Sequence, residues 1–223
     1  MIYRFGLCLL FAVCLACSGC GGGDAERLLI ELQSEDLEVR REAARELGTL
    51  KPSTPEVYSA LGISITDPDR EVRRLSCYAL GEIGTTDTEA LATALTDSEM
   101  SVRLAAAYAL LKIEAGHTEA VAVLSRAMLA GDGGVIVGVT KGGPQAAWAV
   151  PTLTRLLADS RPGIRRLAAE GLGKIGSASQ TAMPALEKAL KDQDDRVREA
   201  ATQAIELIQH EVLSKPSVGS QHP

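Results

Sequence analysis

Aromatic residues are scarce in this chain of 223: two Phe, four Tyr and one Trp, 3% of the total against 46% hydrophobic. Ala, Leu and short aliphatics must do the packing, which suits closely stacked helices better than a β-sandwich. Basic residues are in deficit, 23 against 29 acids, for a formal charge of -6. That balance opposes nucleic-acid binding, which wants a basic stripe. Four of five cysteines (Cys8, Cys14, Cys17, Cys20) precede residue 21, so the remainder keeps Cys77 and no internal disulfide is expected. Histidine is limited to His117, His210 and His222, with no i, i+4 pair and no Cys-x-x-Cys past Cys20. No metal site, cofactor or catalytic residue is expected. The longest apolar run, Phe5 to Ala16, is too short to span a bilayer.

That run follows Arg4 and leads into Cys17-Ser18-Gly19-Cys20 and three glycines. This is the layout of a secretory leader, and its end resembles a bacterial lipobox, in which a small residue precedes a Cys that becomes diacylated. Cys20, after Ser18 and Gly19, is the favoured lipidation site and Cys17 the alternative. Both depart from the pattern, since Cys14 or Cys17 stands where Leu or Val is usual three residues upstream. Ordinary cleavage without a lipid is the competing reading. The expected division is a leader over 1–19, a lipidated Cys with a Gly tether over 20–24, a helical array over 25–212 and a disordered tail over 213–223. The tether, about four residues, reaches at most roughly 15 Å. A mature chain starting at Cys20 has 22 bases and 29 acids. The expected location is the bacterial cell envelope, anchored to the inner or outer membrane.

What is abundant is repetition. The stretch DPDREVRRLSCYALGEIG, Asp67 to Gly84, holds a helix start, an apolar face and a Gly stop. Its Val-Arg pair, Val72-Arg73, recurs at Val39-Arg40, Val102-Arg103, Ile164-Arg165 and Val197-Arg198, at separations of 33, 30, 62 and 33 residues. The 62 is two periods, and a period in this range means a solenoid of stacked units. With the anchor Val as position zero, Leu28, Leu61, Leu91, Leu124, Leu153 and Leu186 occupy -11. Leu32, Ile65, Leu95, Met128, Leu157 and Leu190 occupy -7, on the same face of a first helix. A second helix should bury positions 0, +4, +8 and +11, with small residues at +4 and +5 (Ala43-Ala44, Ala106-Ala107, Ala168-Ala169) allowing close approach. Acids stand at -3 (Asp36, Asp69, Glu99, Asp194, with Arg161 the exception) and at -5 (Asp67, Asp97, Asp159, Asp192), where they can cap the second helix. Gly84 and Gly176 are placed to stop it.

The pattern D-x-D-x-x-V-R-x-x-A-A-x-x-L-G-x-I-G resembles a HEAT repeat, of the short type first associated with phycobilin lyases. The resemblance covers about residues 25 to 210 and implies an all-α solenoid of about six units, near 25–51, 56–84, 87–115, 118–143, 147–176 and 181–210. It also implies that the turn Asp and the Arg after Val form a structural ladder between repeats. Asp36, Arg40, Asp69, Arg73, Arg103, Arg165, Asp194 and Arg198 would then serve the scaffold. The fourth unit departs: Val135 is the expected anchor, but Ile136 replaces Arg and the following stretch is about one turn short. Gly138, Gly142 and Gly143 disfavour helix there, so the second helix should be short, frayed or a loop. It is either a hinge or binding loop or tolerated drift.

Helical spacing places +2 and +6 opposite the buried face. These positions hold Arg41, Arg74, Leu104, Arg166 and Glu199, then Arg45, Tyr78, Tyr108, Glu170 and Gln203. In HEAT arrays the second helices line an extended concave surface. Arg41, Arg45, Arg74, Tyr78, Leu104, Tyr108 and Arg166 are accordingly the candidate partner-binding residues, with a plain solvated face as the alternative. Trp148 is either core or a partner-facing anchor, and Cys77, at +5, a buried small hydrophobe. The expected function is noncovalent binding of another protein. The competing class is an enzyme of the bilin-lyase or deoxyhypusine hydroxylase kind. The latter uses several His-Glu dipeptides, and only His210-Glu211 matches.

Overall fold

A carboxylate starts most of the second helices. In the computed structural model, which describes residues 22–85 and 88–214, Asp36 accepts from the amides of Glu38 and Val39, and Asp69 from those of Glu71 and Val72. Asp132 likewise accepts from Val135 N at 3.0 Å. Each satisfies amides that have no partner within the first helical turn. These caps open α2 (Leu37–Leu50), α4 (Arg70–Ile83) and α8 (Gly133–Thr140). The other second helices, α6 (Met100–Ile113), α10 (Pro162–Ile175) and α12 (Asp195–Ser214), follow Glu99, Arg161 and Asp194. The first helices are α1 (Gly22–Glu31), α3 (Pro55–Ser64), α5 (Glu89–Ala94), α7 (Thr118–Leu129), α9 (Val150–Leu156) and α11 (Met183–Ala189). Tight 3-10 turns, Gly143–Ala149 and Gly176–Ala182, lead into α9 and α11.

The array is all-helical among the described residues and forms two layers, first helices on one side and second helices on the other. Leu28, Leu61, Leu91, Leu124, Leu153 and Leu186 are each 0% exposed, so every unit plants the same leucine between the layers. The -7 row is buried too, until Leu190 of the last described unit, which is 39% exposed. Ala43, Ala44, Ala106, Ala107, Ala168 and Ala169 are fully buried. So is Cys77, whose thiol burial pushes up to about 12. Leu50, at +11 of the first unit, is instead 55% exposed.

Close packing within the second layer rests on a glycine at +9. A Cβ added at Gly81 would sit 2.7 Å from the Cβ and 2.8 Å from the Cα of Ala109; one at Gly173 would sit 2.9 Å from Ala204 Cα. Gly48 faces Ala79 in the same way at 3.2 Å. Thus α2 lies on α4, α4 on α6 and α10 on α12 with almost no space between backbones. In the third unit +9 is Leu111, and α6 does not pack side by side with α8.

The fourth unit keeps its anchor, Val135, buried, and its second helix has 8 residues against 14 in α2, α4, α6 and α10. Gly138 sits inside that helix because a Cβ there would lie 2.6 Å from the Tyr108 hydroxyl. Boundaries differ slightly from those expected. Gly22, Gly23 and Asp24 belong to α1 rather than to a tether, and α12 runs on to Ser214, past 210 and into the segment expected to be tail. The leader, Cys17, Cys20 and residues 215–223 lie outside the described residues. No helix among the described residues is long and apolar enough to cross a membrane.

At +12, where Gly84 and Gly176 have φ of 82° and 74°, the first unit has Lys51 at φ 53°. A side chain in that left-handed region is strained, and the Lys51–Glu82 pair (2.7 Å) is half-exposed. Lys51→Gly is therefore expected to stabilise by about 0.5–1 kcal/mol, read as a higher thermal midpoint. Lys51→Met, which keeps the Cβ, should give no gain. A lower midpoint for the glycine variant would mean that the ion pair dominates.

Candidate binding groove

The charged residues of the repeat sort into two structural roles, and the register differs from the one implied by the family pattern. The +1 arginines reach the -5 aspartate of the next unit, not the -3 one. Arg40 Nε donates to Asp67 at 2.9 Å, Arg73 Nε to Asp97 at 2.7 Å and Arg165 Nε to Asp192 at 2.7 Å. Each also donates through Nη1 to a carbonyl of its own turn: Ser34, Asp67 and Asp159 respectively. Asp36 and Asp194 only serve the start of their own helices; Asp194 accepts from the amide and side chain of Arg196. Asp69 does both, capping α4 while pairing with Arg41 at 2.9 Å. That guanidinium and two amides hold its carboxyl down at about 2. Arg41 is thereby engaged in the ladder and does not stand free as a contact residue.

The ladder breaks at the fourth unit. Arg103 bonds only the carbonyls of Asp97 and Ser98, because Ala130 occupies the -5 place that should offer a carboxylate. Ile136 likewise supplies no arginine for Asp159. Arg161, the exception at -3, makes up the loss: it pairs with Asp159 at 2.8 Å and reaches back to the Ala130 carbonyl at 3.1 Å. Beside this guanidinium the Asp159 carboxyl falls to about 2. At the end of the array Arg198 bonds the Asp192 carbonyl and Asp195 of its own helix.

On the open side of the second layer, Arg74, Tyr78, Leu104 and Tyr108 come together. They line a groove of about 470 Å³ between α4 and α6, with Ala105 and Ala109 as its floor and Glu82 and Lys112 on its lip. Tyr78 is 48% exposed; Tyr108 is half-buried, its hydroxyl donating to the Val135 carbonyl at 3.1 Å and its pKa pushed up to about 12 by burial. Arg74 is held by Glu71, with Nε to Oε2 at 2.9 Å. Beyond Tyr108 the groove continues as a second depression of about 520 Å³, walled by Leu111, Val139, Ala146 and Trp148. This is the gap that Leu111 leaves between α6 and α8. Trp148 packs partly on the core and partly faces this space. Across the lip Glu82 accepts from Lys51 and Lys112, each at 2.7 Å, tying three units together.

Besides Arg41, two more of the expected contact residues lie outside the groove. Arg45 is exposed and paired with Glu42, away from the groove. Arg166 pairs with Glu170 in a separate polar hollow with Arg196, Glu199 and Gln203. His117 precedes α7 and faces Glu119, and His210 is exposed on α12. No group of three or more His, Cys, Asp or Glu able to hold a metal occurs among the described residues. The Lys51–Glu82–Lys112 line was not foreseen in the sequence. The missing rung was signalled by Ala130 and Ile136.

Comparison with known proteins agrees with this fold. The chain has the fold of the CpcE–CpcF complex of phycocyanin lyase from Nostoc sp. PCC7120, with a TM-score of 0.53 at 22% identity, covering 82% of this chain and 76% of that one. An engineered protein overlays with a TM-score of 0.50 at 22% identity, covering 84% of this chain and 99% of that one. A stretch of 77 residues, 31% of this chain, is 42% identical to serine/threonine-protein kinase 36 of Mus musculus, of which it spans only 6%. The model for HEAT repeats matches residues 25–91, 59–142 and 139–206, nearly the whole described array, and the chain belongs to that family.

Proposed function

We propose that this protein is a lipid-anchored docking scaffold of a bacterial envelope, exported by its leader, held at Cys20 (or Cys17), and acting without catalysis. Another protein is its partner, and neither nucleic acid nor a small-molecule substrate is. The observation that carries the reading is the continuous groove from Tyr78 to Trp148. It places three aromatic side chains and Leu104 in one open, largely apolar trough on a rigid two-layer frame. Aromatic anchors in a preformed trough supply most of the binding energy in such interfaces. A HEAT array is suited to the task because stacking repeats extends the surface without new folds.

Photo-crosslinking in the intact envelope tests it. A benzophenone side chain at Tyr78 should give one dominant adduct, and the same group at Thr93, exposed on α5, should not. The double variant Arg74→Glu, Tyr78→Ala should lose at least tenfold in capture of the identified partner while keeping its helical circular dichroism. Unchanged capture would reject the groove. The anchor has its own check: Cys20→Ser is expected to release the protein from membranes, and release by Cys17→Ser alone would move the lipid to Cys17.

A further inference from the structure

We infer that the groove selects an extended partner segment in which apolar side chains alternate with carboxylates; this rests on the reading of the groove as a docking surface. The floor is apolar from Leu104 to Trp148, so side chains that enter it must be apolar. The charged groups on its walls are Arg74, Glu82 and Lys112. Glu82 is the single acid among them, and its two oxygens are each taken at 2.7 Å, one by Lys51 and one by Lys112. A cationic partner would have to compete with both lysines for it. Lys112, by contrast, is 51% exposed and has further N–H donors to offer.

Along the lip two lysines, Lys51 and Lys112, share the one carboxylate of Glu82, an excess of positive charge in a chain that is acidic overall. Such an edge prefers carboxylates by complementarity and repels lysine-rich segments. The two depressions meet at Tyr108, and an extended heptapeptide, roughly 20 Å long, is long enough to enter both. In an extended segment alternate side chains point oppositely, apolar ones down to the floor and carboxylates up to the lysines.

The probe is the acetylated, amidated heptapeptide Leu-Asp-Leu-Asp-Leu-Asp-Leu, with Leu-Lys and Ser-Asp counterparts. Emission of Trp148, the single tryptophan, is followed on the full chain in mild detergent. The Leu-Asp peptide should saturate the signal at least tenfold more tightly than either counterpart. Lys112→Glu should abolish its advantage over the Leu-Lys peptide, and Tyr78→Ala should weaken binding while keeping the order. Equal or better binding of the Leu-Lys peptide, still sensitive to Tyr78→Ala, would overturn the charge selection and leave the docking groove standing. Preference for octathymidylate over the peptide, or no saturation by the peptide at millimolar concentration, would overturn the inference. The crosslinking result at Tyr78 judges the groove separately.

Discussion

Gly81→Ala is expected to lower the thermal midpoint by about 3–10 °C, although alanine is the better helix former. In an open helix the exchange stabilises by up to about 1 kcal/mol. Here the new methyl would lie 2.7–2.8 Å from Ala109, whose Cα is backbone and cannot rotate away. The two helices must separate, and overpacking of this kind destabilises by about 1–3 kcal/mol. Gly62→Ala in α3 is the matched control, because its Cβ would meet Ala90 at an ordinary 3.7 Å. Opposite signs for the two variants in thermal unfolding would establish the +9 glycine as a spacing device. A gain at both would mean that the second layer is looser than described.

Arg73→Met should destabilise by about 2–4 kcal/mol, and Arg103→Met by roughly half as much. Arg73 and Asp97 are 13% and 12% exposed, and removal of the guanidinium strands that carboxylate along with the Asp67 and Pro68 carbonyls. Arg103 has two carbonyl acceptors and no carboxylate to strand. The hydrogen bond from Arg73 holds the Asp97 carboxyl below its ordinary value. A carboxyl whose pKa is depressed on folding stabilises above its unfolded value, near 3.9, and that contribution disappears as pH falls through the folded value. With Asp69 and Asp159 both at about 2, the native chain should lose stability between about pH 4 and pH 2. The gap between native and Arg73→Met denaturant midpoints should therefore narrow from pH 7 to pH 3. An unchanged gap would show that the carbonyl bonds, not the charge, hold that turn.

The leucine and valine rows of the fold were legible in the sequence because burial at fixed spacing leaves one residue type at each place. The charge ladder was legible only in outline. Acids stand at both -3 and -5, and composition gives no reason to prefer either as the partner of the +1 arginine. What decides it is the turn backbone, which aims the -3 carboxylate at its own helix amides and leaves the -5 one facing the preceding repeat. Arg41 misled for a related reason: its Cβ points away from the core, but its long stem reaches Asp69. Arg74, Tyr78, Leu104 and Tyr108 were found from helical angle alone. Trp148 was beyond that method, since the 3-10 turn that carries it follows no helical phase.

The junction between α6 and α8 lacks both connectors used elsewhere, the +9 glycine contact and the arginine–aspartate rung. In a linear array, cooperativity passes only between neighbours. Units one to three meet units four to six through α6 on α7 and through the Tyr108 hydroxyl on the Val135 carbonyl. Whatever fills the trough beside Tyr108 therefore bears on a contact that links the two halves of the array.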